Sequence, residues 1–586
     1  MRQWMVAAKK ADFYVIAEKF HVDPVVARII RNREVIGEKN IRIYLGGNLS
    51  DLSDPHQMKD MDRLVEILAQ KIRKQVHIRI IGDYDVDGVT SSHLFLTALR
   101  RVGAKVDVVI PHRIQDGYGL SLHLLQQAKE DGVDTILTCD NGIAAIDEIA
   151  WAKAQKMTVL VTDHHAVPFE EHEGRRTEKK SLADAVVNPH QQDCGYPYKE
   201  LCGAGVAWNV IRVLYENYDM DKREAEDLLD FVAMATVCDV MSLTGENRVL
   251  VKEGLKRIRH TKNIGLQALM QACNVQPENI SAYHFGYVLG PCVNATGRLD
   301  TARHALRLFE TGQETEAEEI ARDLVDLNQE RKELTLQGVE MAKKLCEEGG
   351  YENDPVLVLF LPDVHESIAG LIAGRIREMY NRPVFVLTRG EEGVKGSGRS
   401  TENYSMYENM CGCAELFTKF GGHPMAAGLS LPEENVEKFR RKINENCPLT
   451  VEEVCPDIHI DMAMPVGYAS TELVHQFALL EPFGKDNPSP LFADRNLSIS
   501  RMWLIGKNRN VLRMSVLSEY GQPVPVIFFG DVETLFAYFT EKFGQEEVEN
   551  ALHGRKNRIL FSMVYTAKID FYQGNENLQL EMKYYR

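Results

Sequence analysis

The chain has 586 residues and a mass of 66.4 kDa, is 44% hydrophobic and 26% charged, and carries a formal charge of −17 with a pI near 5.6. That length supports about four domain-sized units, whose cores need neither disulfides nor structural metal to fold. The composition excludes wholesale disorder, a collagen-like repeat and a basic wrapper of duplex DNA, but a local basic track can still hold a polyanion.

Residues 1–74 are expected to form an N-terminal extension packed on the first lobe. The segment MRQWMVAAKKADFYV has no apolar secretory core, and no run of ~18 apolar residues occurs. Eleven cysteines, an odd number without a CxxC pair, read as reduced thiols. A cytoplasmic protein with no membrane contact is the expectation.

Between Gln75 and Asp163 short apolar strands alternate with helices. VHIRIIG runs into DYDVDG, a helix is expected from about Thr90 to Val102, and KVDVVIP, DTILTCD and MTVLVTD follow as strands. This alternation predicts an α/β first domain, spanning 75–300, built on a parallel sheet with crossover helices. The charged stretch EEHEGRRTEKK, 170–180, reads as a solvated loop. From 301 to 349 the pattern is charged and helical, one or two long helices connecting two lobes. A second α/β domain is expected over 350–452, with a strand at PVLVLFLP, a helix from Ser367 to Tyr380, a strand at RPVFVLT, and glycine-rich turns at VKGSGRS and FGGHPMAAG. Over 453–586 about five alternating strands predict a small antiparallel β-barrel of OB-fold type.

The chemistry lies at strand ends, where open α/β sheets bind ligands. Asp83, Asp85 and Asp87 alternate in GDYDVDG; in an extended segment they point one way and repel unless a cation neutralises them. Asp140 closes the next strand but one, Asp163, His164 and His165 close another, and Asp239 ends an apolar stretch. Oxygen ligands with one or two imidazoles suit Mn²⁺ or Mg²⁺ rather than zinc. So many ligating groups allow two ions, the arrangement used for phosphoryl hydrolysis.

DYDVDG, the CDNG around Asp140, the DHH triplet at 163–165 and the CDV at 238–240 resemble, in order, the four motifs of the DHH phosphoesterase superfamily. GSGRS at 396–400 with GGHPMAAG at 421–428 resembles the DHH-associated domain. PHRIQDGYGL, VVNPH with YPYKELCGAGVAW, NATGRL, LNQER and EPFGKDNPSP narrow the resemblance to the RecJ family of single-strand-specific 5′-to-3′ DNA exonucleases. It runs from about residue 75 to the C-terminal barrel.

The resemblance implies hydrolysis of single-stranded DNA to 5′-mononucleotides in DNA repair and recombination, with two Mn²⁺ or Mg²⁺ ions. It implies metal ligation by Asp85, Asp87, Asp140, His164 and Asp239, with Asp140 bridging. Asp83 and His165 are further ligands or orienting groups, and Asp163 fixes an imidazole tautomer. Ser397, Arg399 and His423 are implied on the phosphate side of the second lobe, Arg113 and Tyr118 at the 5′ end, and Asn294 and Arg298 on the DNA backbone. A monomer is expected, with a RecQ-type helicase and a single-strand-binding protein as partners.

Three features depart from the family pattern. Asp486 stands where PFGxGNPxP has a glycine, and His93 lies on the first motif's helix, where a packed ring is the expectation. The chain also ends soon after the barrel, so the further C-terminal domain of longer relatives is expected to be absent. Two other functions compete: a DHH phosphodiesterase of short oligoribonucleotides or cyclic dinucleotides, and a non-enzymatic scaffold like the degenerate relative in the eukaryotic replicative helicase. Barrel and connector weigh against the first, and intact carboxylates at all four motifs against the second. On the barrel, Lys507, Arg509, Arg513 and Trp503 are candidate strand contacts.

Overall fold

A computed structural model describes residues 3–113, 116–117, 119–172, 175–390, 393–506, 510–572 and 574–586, without the side chains of 171, 172, 175, 176 and 572. Its contacts divide the chain into two compact units, Leu52–Met241 with Leu250–Pro456, and Gln3–Asp51 with Ser242–Val249 and Asp457–Arg586. Residues 3–51 of the N-terminal extension thus belong to the smaller unit and residues 52–74 to the larger. Helices Phe13–Phe20, Pro24–Asn32 and Glu38–Gly46 bury Val26, Ile30 and Tyr44 in one core with Phe492, Met514 and Tyr565 of the C-terminal strands. The reason is their apolar faces, which find a core among those strands.

The larger unit opens with β1 (Ile78–Ile81), α1 (Val86–Arg101), β2 (Val106–Val109), α2 (Leu122–Glu130), β3 (Thr135–Cys139), α3 (Ile146–Ala154), β4 (Thr158–Thr162) and β5 (Ala185–Val187). The sheet is wholly parallel in the order β2-β1-β3-β4-β5. Burial on both faces explains the near-continuous apolar runs IRII and TILTC. The chain steps outward from β1 to β2, then returns across β1 to β3, so the direction of winding reverses between β1 and β3. Such a reversal opens a crevice beyond the strand ends. Segment 170–180, expected as a loop, holds a hairpin in which Phe169–His172 pairs antiparallel with Arg175–Glu178. Its polar residues hid the pairing, because a two-stranded ribbon needs no apolar face of its own.

Helices α4 (Gly203–Asn217), α5 (Leu229–Cys238) and α6 (Gly290–Leu299) pack around the sheet. The connector is two helices, α7 (Arg303–Glu310) and the 35-residue α8 (Glu314–Glu348). The second lobe follows with β6 (Leu357–Phe360), α9 (Ala369–Tyr380), β7 (Val384–Gly390), β8 (Gly393–Arg399), β9 (Lys419–His423) and β10 (Ala426–Leu431), in the order β9-β10-β8-β7-β6. Of the two glycine-rich segments expected as turns, VKGSGRS is a strand, while FGGHPMAAG is a hairpin that turns at Pro424–Met425 between β9 and β10. At Gly396 a Cβ would lie 2.4 Å from the Leu387 side chain, so glycine there serves close packing rather than a bend.

In the smaller unit β11 (Met462–Ala463), β12 (Phe492–Ile505), β13 (Val511–Leu517), β14 (Pro523–Phe528), β15 (Leu560–Tyr572) and β16 (Asn575–Tyr585) form one sheet. The ring of pairings β12-β13-β14-β16-β15 returns to β12, closing five strands as an OB-fold does. Asp486 adopts a left-handed φ of 59°, the conformation a glycine would supply and one that aspartate tolerates. Among the described residues, no helix is long and apolar enough to cross a membrane.

Candidate metal centre and phosphate cavity

The crevice between β1 and β3 receives side chains from four segments. After β1, Asp83 is buried, Asp85 caps α1 by accepting from the Gly88 N–H at 3.0 Å, and Asp87 lies in the first helical turn. Helix α1 begins four residues earlier than the sequence pattern suggests. The three aspartates therefore do not alternate along an extended strand, and they divide between two clusters: Asp83, Asp85 and Asp140 in one, Asp87, His164 and Asp239 in another, each with ligating atoms within 4.8 Å of one another. A third set, Asp140, His164 and His165, joins them.

Asp140 follows β3 with a left-handed φ of 61°, unusual for a residue with a side chain and of the kind that collects at functional sites. Asp239 caps the C-terminus of α5. His164 Nε2 lies 3.1 Å from Asp140 Oδ1, 3.6 Å from Asp239 Oδ2 and 3.7 Å from Asp87 Oδ2. Asp163 is a hub: its Oδ1 accepts from the His164 and His165 N–H groups at 2.7 and 3.0 Å and contacts His165 Nδ1 at 2.8 Å, and its Oδ2 accepts from the Ile143 N–H at 2.9 Å.

Charge and burial oppose each other here. Burial, then the neighbouring carboxylates, push Asp83 and Asp140 well above the usual carboxylate range and Asp87 to about 7. The N–H groups of Gly203 and Ala204, at the start of α4, work against this by donating to Asp87 at 2.6 and 2.7 Å. Burial, followed by the charge of His165, lowers His164 to about 3, leaving it neutral. Burial also opposes charge on His165, but its bond to Asp163 wins and raises it to about 9.

Two atoms test whether a cation fits. Asp83 Oδ1 and His164 Nε2 are buried without a hydrogen-bond partner among the described residues. Buried polar atoms rarely stay unsatisfied. The oxygen-rich donor set with a neutral imidazole suits Mn²⁺ or Mg²⁺, and a divalent cation would offset the repulsion that raises the aspartates. The residues fit the group.

A cavity of about 470 Å³ lies beside the cluster. Arg113, Arg298, Lys395, Arg399 and Lys419 line it together with Ser397, and Glu366 is the sole acid of its lining. Arg113 joins the two: its guanidinium sits 3.9 Å over the ring of Tyr84, which lies between Asp83 and Asp85, and donates to the Gly297 carbonyl at 2.9 Å. Arg298 donates to the Ser367 carbonyl at 2.6 Å; burial, then Arg113, Arg331 and Arg399, lower it to about 10. Asn294 instead accepts from the Val86 N–H at 3.2 Å and braces the start of α1.

His423 is exposed at the end of β9 and is not part of this lining. Tyr118, Lys507 and Arg509 lie outside the described residues. Sequence reasoning missed four contributors. Gly203 admits Asp140, since a Cβ on it would lie 2.6 Å from that of Asp140, and a Cβ on Gly370 would lie 2.9 Å from the Arg399 guanidinium. The CGAG start of α4 was a readable signal for the first; nothing marked Gly370, Lys395 or Lys419.

With this geometry in view, the known proteins place the chain. The DHH family N-terminal domain matches residues 77–236, the DHHA1 domain residues 353–447 and the RecJ OB domain residues 460–584. Fold and site thus define a DHH-family protein with its partner lobe and an OB barrel. The single-stranded-DNA-specific exonuclease RecJ of Haemophilus influenzae is 32% identical over 582 residues, covering 96% of both chains. The Bacillus subtilis protein of the same name is 33% identical over 511 residues, 86% of this chain, and the chain spans 63% of that relative's length. The crystal structure of Thermus thermophilus RecJ in complex with Mn²⁺ shares the fold at a TM-score of 0.79, with 24% identity over 100% of this chain and 79% of that one. A second, of exonuclease RecJ bound to manganese, is 32% identical with a TM-score of 0.56, covering 66% of this chain and 94% of that one. The chain belongs to the RecJ family.

Proposed function

We propose that this chain is a divalent-metal-dependent exonuclease that takes single-stranded DNA by its 5′ end and releases 5′-mononucleotides. The observation that carries the reading is adjacency. A carboxylate–imidazole cluster and a cavity lined by five cations and one acid meet where Arg113 of the cavity lies over the ring of Tyr84, between Asp83 and Asp85 of the cluster. A terminal phosphate held in the cavity sets the first phosphodiester bond near the cluster, which gives both end-dependence and polarity.

Asp85, Asp87, Asp140, His164 and Asp239, with Asp83, are the residues that would hold Mn²⁺ or Mg²⁺, and their division into clusters supports two ions with Asp140 shared. Such ions, when bound, lower the pKa of water and polarise the phosphodiester. The chain's own groups do the rest. Asp163 holds His165 by its Nδ1 contact and so orients a charged ring beside the cluster, where it offsets the negative charge of a phosphate. Arg113, Arg298, Ser397 and Arg399 hold the terminal phosphate, guanidinium matching phosphate in a two-pronged bond. Burial of Asp83, Asp87 and Asp140 limits the access of bulk water to the ions. A helicase that opens duplex and a single-strand-binding protein are the partners such an activity calls for.

The test compares a 5′-phosphorylated, a 5′-hydroxyl and a 3′-labelled strand in Mn²⁺ and in chelator. Release of labelled mononucleotide from the 5′ end only, abolished by chelator, is the expected result. Release from the 3′ end, or cleavage in chelator, overturns the reading.

A further inference from the structure

Residues 282–299 of the larger unit form one continuous helical run: Ala282–His284, a π-helical stretch Phe285–Leu289, and α6. Phe285, Leu289, Cys292, Val293, Ala295 and Thr296 are buried in it, whereas Tyr283, Tyr287, Pro291, Asn294 and Arg298 all keep exposed surface. These five recur every three or four residues, the spacing of a single helix face. From Ser281 to Leu299 there is no Asp or Glu, in a chain that carries 85 of them. A polyanion lying along this face meets no opposing charge from it.

One end of the face belongs to the site already described. Arg298 lines the phosphate cavity, and Asn294 accepts from the Val86 N–H between Asp85 and Asp87. The middle of the run rests on the last turn of α5, next to Asp239: Cys238 Sγ donates to the Phe285 carbonyl at 3.3 Å, and a Cβ on Gly290 would lie 2.3 Å from that sulfur. At the far end Tyr283 and Tyr287 are 62% and 72% exposed. Their rings are stacked, with centroids 5.2 Å apart and planes inclined by 24°. The His284 ring stands edge-on to Tyr283 at 5.6 Å and is fixed by the Ser281 hydroxyl, 3.0 Å from its Nδ1.

We propose that the Tyr283–Tyr287 stack is a platform for bases of the DNA strand downstream of the scissile bond. The proposal rests on the 5′-end reading above. Two exposed rings held face to face extend naturally to a third, and bases stack on such rings with little regard for sequence. Tyr287 stands eleven residues before Arg298, about 16 Å along the helix. A strand with its terminal phosphate in the cavity therefore reaches the tyrosines a few nucleotides downstream, along the one face that joins the two.

The experiment follows initial rates of release of the first nucleotide by the full chain in Mn²⁺. The substrates are 5′-phosphorylated strands, intact or lacking one base at each of the first several positions in turn. In the native chain, loss of the base that meets the stack should raise KM about tenfold, the worth of one stacked base, with little change in kcat because no reacting atom is touched. Tyr283→Ala/Tyr287→Ala should raise KM as much on the intact strand and no longer respond to the missing base. Tyr283→Phe/Tyr287→Phe should behave as the native chain, since stacking needs the ring and not the hydroxyl. Circular dichroism checks the fold, and Tyr287→Ala alone decides if the double variant does not fold. A native KM in the alanine variants, a base-removal penalty that persists in them, or a native chain indifferent to every missing base overturns the platform and leaves the exonuclease reading standing. A native chain that releases nothing from a 5′ end overturns that reading, and the platform with it.

Discussion

Single side chains here are held in ionisation states that water would not give them. Asp140 sits buried among carboxylates in a left-handed backbone, so it costs the fold stability and serves the site. Asp140→Asn should lower kcat by about a thousandfold or more, since metal charge stabilisation is lost, while Tm holds or rises because like-charge repulsion is relieved. Turnover assays beside a thermal melt in chelator check this, and near-normal turnover would remove Asp140 from the centre. Arg399→Ala should cut the preference for a 5′-phosphate by about 10- to 100-fold, the worth of a charge-assisted bond. Competition between phosphorylated and hydroxyl strands reads it directly. His93 supplies a pH signature. Its pKa is about 3 when folded and near 6.5 in the unfolded chain. Unfolding therefore takes up a proton between those values, and stability is full above 6.5 and falls as pH drops toward 3. Denaturant unfolding from pH 7 to pH 5 should show about 2 kcal/mol less loss in His93→Phe than in the native chain.

At the scale of elements, helix starts organise the centre. Helix α4 points its first two N–H groups at Asp87, where unsatisfied donors and the helix dipole favour a carboxylate. That approach depends on the bare face of Gly203, which rests against Asp140. Gly203→Ala should push α4 away, lowering kcat at least ~10-fold and weakening Mn²⁺ binding, because misplaced groups lose catalysis steeply with distance. Metal titration by calorimetry together with circular dichroism separates this from unfolding. An unchanged Mn²⁺ affinity would show that the centre tolerates the shift. Helix α1 depends in turn on Asn294, whose side chain accepts from the Val86 N–H at its first turn.

Over the whole molecule, a chain of charge −17 still gathers five cations around one cavity of the larger unit. On the barrel, Trp503 is half-buried, with the Arg501 and Arg513 guanidinium groups 5.7 and 6.0 Å from its ring, while its neighbour Met502 fills the core. Strand alternation therefore puts Trp503 on the outer face, where it is free to stack on a base. Trp503→Ala should weaken binding of long strands by about 1–3 kcal/mol and leave cleavage of very short oligonucleotides unchanged. Fluorescence anisotropy across strand lengths measures this, and equal affinity for long strands would give the barrel another role. Deleting the barrel is a poor substitute, because the helices of Gln3–Asp51 share its core and would be left exposed.

The local patterns were legible without any structure. Strand-to-acid transitions at Asp83, Asp140 and Asp163, the alternating C-terminal strands and the charged helical connector all follow from residue type and spacing, which act over a few neighbours. Other features were decided only by tertiary packing. The winding reversal between β1 and β3 brings Asp140 to Asp83, and α5 delivers Asp239 from far along the chain. Glycines at 396 and 398 read as turn residues until Leu387 and its neighbours packed on them. The N-terminal helices found their core beside strands more than 400 residues away, and the cations of the phosphate cavity came from separate lobes. Periodicity fixes which face of an element is apolar; which partner covers that face is a competition among all such surfaces, and only the folded chain settles it.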